Sequence, residues 1–129
     1  CAFENNFLWR NKMMTTELGR GGEIYACTYL ENKGMKCIGR NFRSAHGEID
    51  LIMQDGGTIV FVEVKTRRNR RYGEPIEAVT KYKQRHIRYT ARLFLLSQGI
   101  ENKHIRFDVV EVMMESGREK KVRHVKNAF

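Results

Sequence analysis

What this chain lacks narrows its class before any motif is read. No apolar run approaches the roughly 18 residues that a membrane-spanning helix needs, so no transmembrane helix is expected. The N-terminal stretch has neither a basic n-region nor a long apolar core, so it does not read as a secretory signal. The three cysteines, Cys1, Cys27 and Cys37, are odd in number and none stands in a C-x-x-C pair. That pattern argues against a disulfide framework or a zinc site and predicts reduced thiols in a cytoplasmic protein. His46, His86, His104 and His124 are scattered with no metal-ligand spacing, which speaks against a histidine pair or triad in catalysis. There is no P-loop, no Gly-rich dinucleotide turn and no internal repeat.

What is present is one domain's length of chain with an excess of positive charge. The 129 residues suffice for one core and not two. Residues 1–13 carry Phe3, Phe7, Leu8 and Trp9 without a clear period and read as an N-terminal extension before a start at Met13 or Met14. Residues 14–129 then read as a single domain. Lysine and arginine outnumber aspartate and glutamate by 24 to 15, a net charge of +9. This favours a polyanionic partner, nucleic acid before an anionic membrane surface.

Two stretches, Gly47-Glu48-Ile49-Asp50-Leu51-Ile52-Met53 and Ile59-Val60-Phe61-Val62-Glu63-Val64-Lys65, alternate with period two and are rich in β-branched and aromatic residues, so both read as strands. Gln54-Asp55-Gly56-Gly57 between them is a hairpin signal. A tip at Asp55-Gly56 would set Asp50 against Phe61 and Glu48 against Glu63. A tip at Gly56-Gly57 would set Asp50 against Glu63. In either register Glu48, Asp50, Glu63 and Lys65 share one face, and Ile49, Leu51, Val60, Val62 and Val64 take the other. A solvated polar face is ordinary for an antiparallel hairpin. Ile52, Ile59 and Phe61 fall on the charged face too, however, which suits a half-buried cleft. Carboxylates facing one another destabilise a sheet unless something neutralises them, and two carboxylates with water suit a hard cation such as Mg2+. The residues alone leave the solvated face and the metal site both open.

The flanks complete the order. Thr15-Thr16-Glu17-Leu18 opens a helix that Gly34 stops, with Leu18, Gly22, Tyr25, Ala26, Tyr29 and Leu30 as its core face. Gly21 and Gly22 within it imply close packing or close approach of a ligand, and Glu23 lies one position off the stripe. Met35 to Arg43 reads as a first strand and residues 44–47 as the turn that follows it. After Lys65 come Arg67, Arg68, Arg70 and Arg71, either a solvated charge run or a phosphate-binding rim. A long helix is predicted from about Ile76 to Gln98, begun at Glu74-Pro75 and stopped by Gly99. It carries Lys81, Arg85, Arg88 and Arg92 as a basic stripe opposite Ile87, Ala91, Phe94 and Leu95. Ile105 to Val112 reads as a strand, with Phe107, Val109 and Glu111 on one face, and Lys121 to Val125 as a last edge strand.

Glu23, then Asp50, then Glu63-Val64-Lys65 resemble the D…E-x-K constellation of restriction-endonuclease-fold nucleases. More closely, the chain resembles the YraN-like family of small bacterial proteins. The matching pieces are Gly19-x-x-Gly22-Glu23-x-x-Ala26-x-x-Tyr29-Leu30, Arg40-Asn41-x-Arg43, Gly47-Glu48-Ile49-Asp50-Leu51-Ile52, Phe61-Val62-Glu63-Val64-Lys65-Thr66-Arg67, Arg106-Phe107-Asp108-Val109-Val110 and Asn127-Ala128-Phe129. Ile24 departs from the pattern, where the family often has a second acidic residue. The resemblance implies an α/β, restriction-endonuclease-like core: a central mixed β-sheet flanked by helices, in the order helix-strand-strand-strand-helix-strand.

It further implies that Asp50 and Glu63 ligate Mg2+ or Mn2+, with the Val64 carbonyl as a further ligand and Glu23 as a third carboxylate. Lys65 would sit by the scissile phosphate, and Glu48 would bind a second ion or a basic residue. Arg67, Arg68, Arg70, Arg71, Lys81, Arg85 and Arg88 would contact nucleic acid. The activity so implied is metal-dependent hydrolysis of phosphodiester bonds in DNA, including branched DNA of the kind that Holliday-junction resolvases cut, with a homodimer favoured for symmetric cleavage. Two readings from other classes stand beside it: a nucleic-acid-binding module without turnover, and a protein-interaction role for the same basic face.

Overall fold

The computed structural model describes residues 17–68, 73–114 and 121–129, with side chains described from residue 21. The expected extension at 1–13, the Thr15 and Thr16 caps, and Arg70 and Arg71 lie outside them. In chain order the elements are a helix, α1 (Glu17–Asn32), three strands, β1 (Lys36–Arg43), β2 (Glu48–Asp55) and β3 (Thr58–Arg67), a 3-10 turn (Pro75–Ala78), a second helix, α2 (Lys81–Ser97), and strands β4 (His104–Met113) and β5 (Lys121–Val125). The five strands form one mixed sheet in the order β1-β2-β3-β4-β5. Only β3 and β4 run parallel, and α2 is the crossover between them.

The sheet is covered on both faces, which explains the unbroken apolar run Ile59-Val60-Phe61-Val62 in β3. On one face Ala26, Cys27 and Leu30 of α1 pack on Leu51, Met53, Val60, Val62, Val110 and Val112. On the other, Ile87, Ala91 and Phe94 of α2 pack on Ile52, Ile59, Phe61, Phe107 and Val109. Helix α1 comes so close to the sheet that a Cβ on Gly22 would collide with the Thr66 hydroxyl, so the glycine answers to packing, as one of its two sequence readings has it.

The hairpin tip resolves to Gly56-Gly57: Asp55 pairs with Thr58 and Leu51 with Val62, and Gly56 takes the left-handed φ of 59° that its place in the turn requires. Ile49 departs from its expected face. It joins the α2-side cluster, at the end of β2 past its last pairing with β3 at Leu51.

Two further expectations are corrected. The helix anticipated over 76–98 is two elements, since Val79 is extended at the end of the 3-10 turn and Thr80 restarts the chain as an N-cap, its hydroxyl accepting from the Lys83 N–H at 3.2 Å. The cysteines are not reduced: Cys27 and Cys37 are both disulfide-bonded, which in a chain of three cysteines with these two engaged means to each other. Reading for C-x-x-C spacing misses such a pair, because the inward faces of α1 and β1 bring together residues ten apart in sequence.

Candidate active site

Where the β2–β3 ladder ends, side chains take over from backbone. One step beyond the Leu51–Val62 pair, Asp50 lies opposite Glu63, and its carboxylate Oδ2 accepts from the Val64 N–H at 2.8 Å. Asp50 and Glu63 also hydrogen-bond to each other through their side chains. Burial is the main cause that raises the Asp50 pKa well above the usual carboxylate range, and the adjacent Glu63 charge raises it further. Glu63 goes the other way. Burial works to raise it, but the Asp50 hydrogen bond and the charges of Lys65 and Lys83 outweigh burial and leave it lowered. Burial and the contacts of the pair therefore favour the proton on Asp50 over Glu63.

Two ammonium groups converge on that charge, Lys65 Nζ at 3.4 Å and Lys83 Nζ at 3.0 Å from Glu63 Oε2. Burial lowers the Lys65 pKa, and Lys83 beside it adds to the effect. Lys83 is raised on balance: burial opposes, while contacts with Lys65 and Glu63 prevail.

Lys83 is the residue that sequence reasoning missed. It stands two positions from Lys81 and two from Arg85, off the basic stripe. With Thr80 as N-cap it is the third residue of α2, where a positive charge works against the helix dipole. Recognising Thr80 as a cap would have flagged it, because a lysine placed there needs a partner elsewhere.

The other expected site residues divide. Glu23 acts from α1 as a distant charge, the last of the causes that raise Asp50, and it also acts on Arg40, whose pKa burial pulls down to about 10 against the Glu23 charge. Glu48 is drawn to the edge strand, where its Oε2 accepts from Arg43 Nε at 3.0 Å; of its two expected partners the basic residue is the one present. Arg67 turns inward, donating to the carbonyls of Gly73 and Glu74 and lying 3.7 Å from the buried Glu111 carboxylate, so it is a brace and not part of an open rim. Arg68, Lys81 and Arg85 are exposed. Arg88 lays its guanidinium over the rings of Phe107 and Phe129, 4.6 and 5.8 Å from their centroids.

A divalent cation fits the donor set at the level of Asp50 and Glu63. Two adjoining carboxyls, on one of which burial favours a proton, together with water, are what a hard cation takes. Among the described residues no group of three or more His, Cys, Asp or Glu side chains gathers at metal-binding distances, so water or a phosphate oxygen would have to complete the shell.

The fold and this site define a class, an α/β protein with a carboxylate–lysine cluster where β2 and the central strand β3 of its sheet part. Comparison with known proteins supplies the family. The family described as "Uncharacterised protein family UPF0102" matches residues 22–112. A UPF0102 protein of Symbiobacterium thermophilum is 50% identical over 116 residues, covering 90% of this chain and 98% of that one. A UPF0102 protein of Rhodococcus jostii is 48% identical over 112 residues, 87% and 95% of the two chains. Another from Caldicellulosiruptor saccharolyticus is 47% identical over 118 residues, 91% of this chain and all of that one. The chain belongs to the UPF0102 family, the YraN-like family of its motifs. No described helix is long and apolar enough to cross a membrane.

Proposed function

We propose that this protein is a metal-dependent endonuclease that hydrolyses phosphodiester bonds in DNA, with Mg2+ or Mn2+ held by Asp50 and Glu63. The observation that carries the reading is the Asp50–Glu63 carboxyl pair with Lys65 beside it at the open end of the β2–β3 hairpin. Restriction-endonuclease-like nucleases, which the motif resembles, place a carboxylate and an E-x-K on adjoining strands in the same way. The ion, when bound, would lower the pKa of a water and offset charge on the phosphate. Asp50 would give up its proton on binding it. Lys65, released from Glu63, would donate to a phosphate oxygen and orient the water. Lys83, beside Glu63 and half-exposed on α2, would offer positive charge to the phosphate backbone together with Lys81 and Arg85. Glu23 would add negative charge behind Asp50.

A second reading, a nucleic-acid-binding module without turnover, draws on one specific observation: Lys83 Nζ lies 3.0 Å from Glu63 Oε2, so this carboxylate has a cationic side-chain partner of its own. Incubation with duplex, branched and single-stranded DNA in Mg2+, Mn2+ or EDTA separates the two. The nuclease reading expects cleavage that needs a divalent ion and that disappears in Asp50→Ala and Lys65→Ala while both variants melt as folded proteins. Equal cleavage by the variants, or salt-dependent binding without product in the parent, would overturn it.

A further inference from the structure

The turn joining β1 to β2 is seated firmly on α2. Within the turn the Ser44 N–H donates to the Gly47 carbonyl at 2.8 Å. The Ser44 hydroxyl lies 2.8 Å from that of Thr90, a fully buried residue whose hydroxyl donates in turn to the His86 carbonyl at 2.8 Å. A Cβ on Gly47 would meet both His86 and Thr90 at 3.5 Å, so the turn lies flush on the helix.

This seating gathers rings around one shallow cleft lined by His46, Arg85, His86 and Tyr89. His46 meets Tyr89 edge to face at 4.7 Å and lies 5.9 Å from His86, and Tyr82 lies 4.2 Å from His86 on the other side. These rings are held in place yet wet: Tyr82 keeps 66% and Tyr89 45% of its surface exposed. Positively charged Arg85 stands among them, with exposed Lys81 and Arg92 on the same helix. Flat apolar faces linked by negative charges would match both features, and unpaired nucleotides have that chemistry. The position matches too. Tyr82 and His86 bracket Lys83, whose ammonium lies on Glu63, and His46 leads through Glu48 to Asp50.

We propose that His46, Tyr82, His86 and Tyr89, with Arg85, form a stacking subsite for the unpaired bases of a DNA strand running into the Asp50–Glu63 site. This rests on the nuclease reading above for its ligand class and narrows the substrate to DNA with a single-stranded segment, because the bases of a continuous duplex present no free face.

Fluorescence anisotropy tests it, with labelled oligothymidine and a blunt duplex of equal length, in EDTA and across a salt series. Tyr82→Ala is expected to weaken oligothymidine binding by about fivefold or more, the lower end for one lost base–aromatic stack. Duplex affinity stays unchanged, and so does the salt slope, since no phosphate contact is removed. Tyr82→Phe keeps the ring and restores the parent affinity. Oligothymidine binding that is the same in Tyr82→Ala and Tyr89→Ala as in the parent overturns the proposal. An equal loss on both ligands, or a parent chain that binds no oligothymidine, overturns it as well. Cleavage is scored separately on the same samples after Mn2+ is added. Ring-dependent binding without cleavage retires the nuclease reading and keeps the subsite; cleavage without ring dependence does the reverse.

Discussion

Two carboxylates, the buried Asp108 on β4 and the half-buried Asp50 on β2, sit in the same sheet and have opposite fates. Asp108 is fully enclosed and fully answered: it accepts from Arg106 Nε and Nη2 at 2.9 and 3.1 Å, from the Asn127 N–H at 2.9 Å, and lies 2.6 Å from His124 Nε2. Burial works to raise its pKa, but the His124 and Arg106 contacts win and the pKa is lowered. Its charge is permanent, and it fastens the C-terminal segment to β4. Asp50 has one backbone donor and a second carboxyl for company, and its pKa rises. A carboxylate used for structure is given cations by the fold. One left short of them is a candidate for binding a ligand, and the shortage is the signal.

Substitution sharpens the contrast. The largest effect is expected for activity: Asp50→Asn drops divalent-dependent cleavage to background, whereas Asp108→Asn retains it in whatever fraction stays folded, as product formation normalised to folded protein would report. Stability should reverse the order. Asp108→Ala removes the buried partner of Arg106 and His124, leaving Arg106 only Asp55 at 3.3 Å, and should cost about 3–5 kcal/mol by urea unfolding. Gly22→Ala drives a methyl into Thr66 and should cost about 1–3 kcal/mol by the same measurement; a cost near zero would mean α1 is free to shift.

The pH dependence differs in sign. Asp108, with its pKa lowered on folding, contributes stability that is present above about 3.9, the ordinary aspartate value, and is lost as pH falls through its folded pKa. Asp50, with its pKa raised, is most stabilising below about 3.9, and that contribution is lost as pH rises through its folded pKa. Asp50→Asn, which imitates the protonated carboxyl, should therefore melt higher than the parent at neutral pH and no higher in acid. Thermal melts across a pH series would show whether the gap closes. The smallest effect is expected for the exposed Arg43–Glu48 pair, where Glu48→Ala should change stability by about 0–1 kcal/mol.

Much of this was legible in the chain because period-two alternation survives folding. The carboxylates and Lys65 came from it, and either hairpin register put Asp50 and Glu63 on one face. The choice between registers was not legible, since Asp55-Gly56 and Gly56-Gly57 offer comparable turns and only packing selects one. Ile49 breaks parity at the end of β2, past its last pairing with β3, a departure that period-two spacing does not mark. Lys83 escaped because a basic stripe drew the eye to residues in phase with one another, and the interruption at Val79-Thr80 was read through as continuous helix. Glu48 shared the site's parity but found Arg43 first, a competition between neighbours that spacing alone does not rank. The Cys27–Cys37 bond is a matter of three dimensions and had no local signature.

On the metal-site reading a divalent cation displaces the proton that burial favours on Asp50. Calorimetric titration of Mn2+ into the parent and Asp50→Asn proteins, with duplex DNA present and in two buffers of different ionisation heat, measures it directly. The account predicts that the parent binds Mn2+ with release of a proton, seen as a heat that changes with the buffer, and that Asp50→Asn loses the binding. Parent protein that binds no Mn2+ beside DNA, or Asp50→Asn that binds it equally well, would contradict the account.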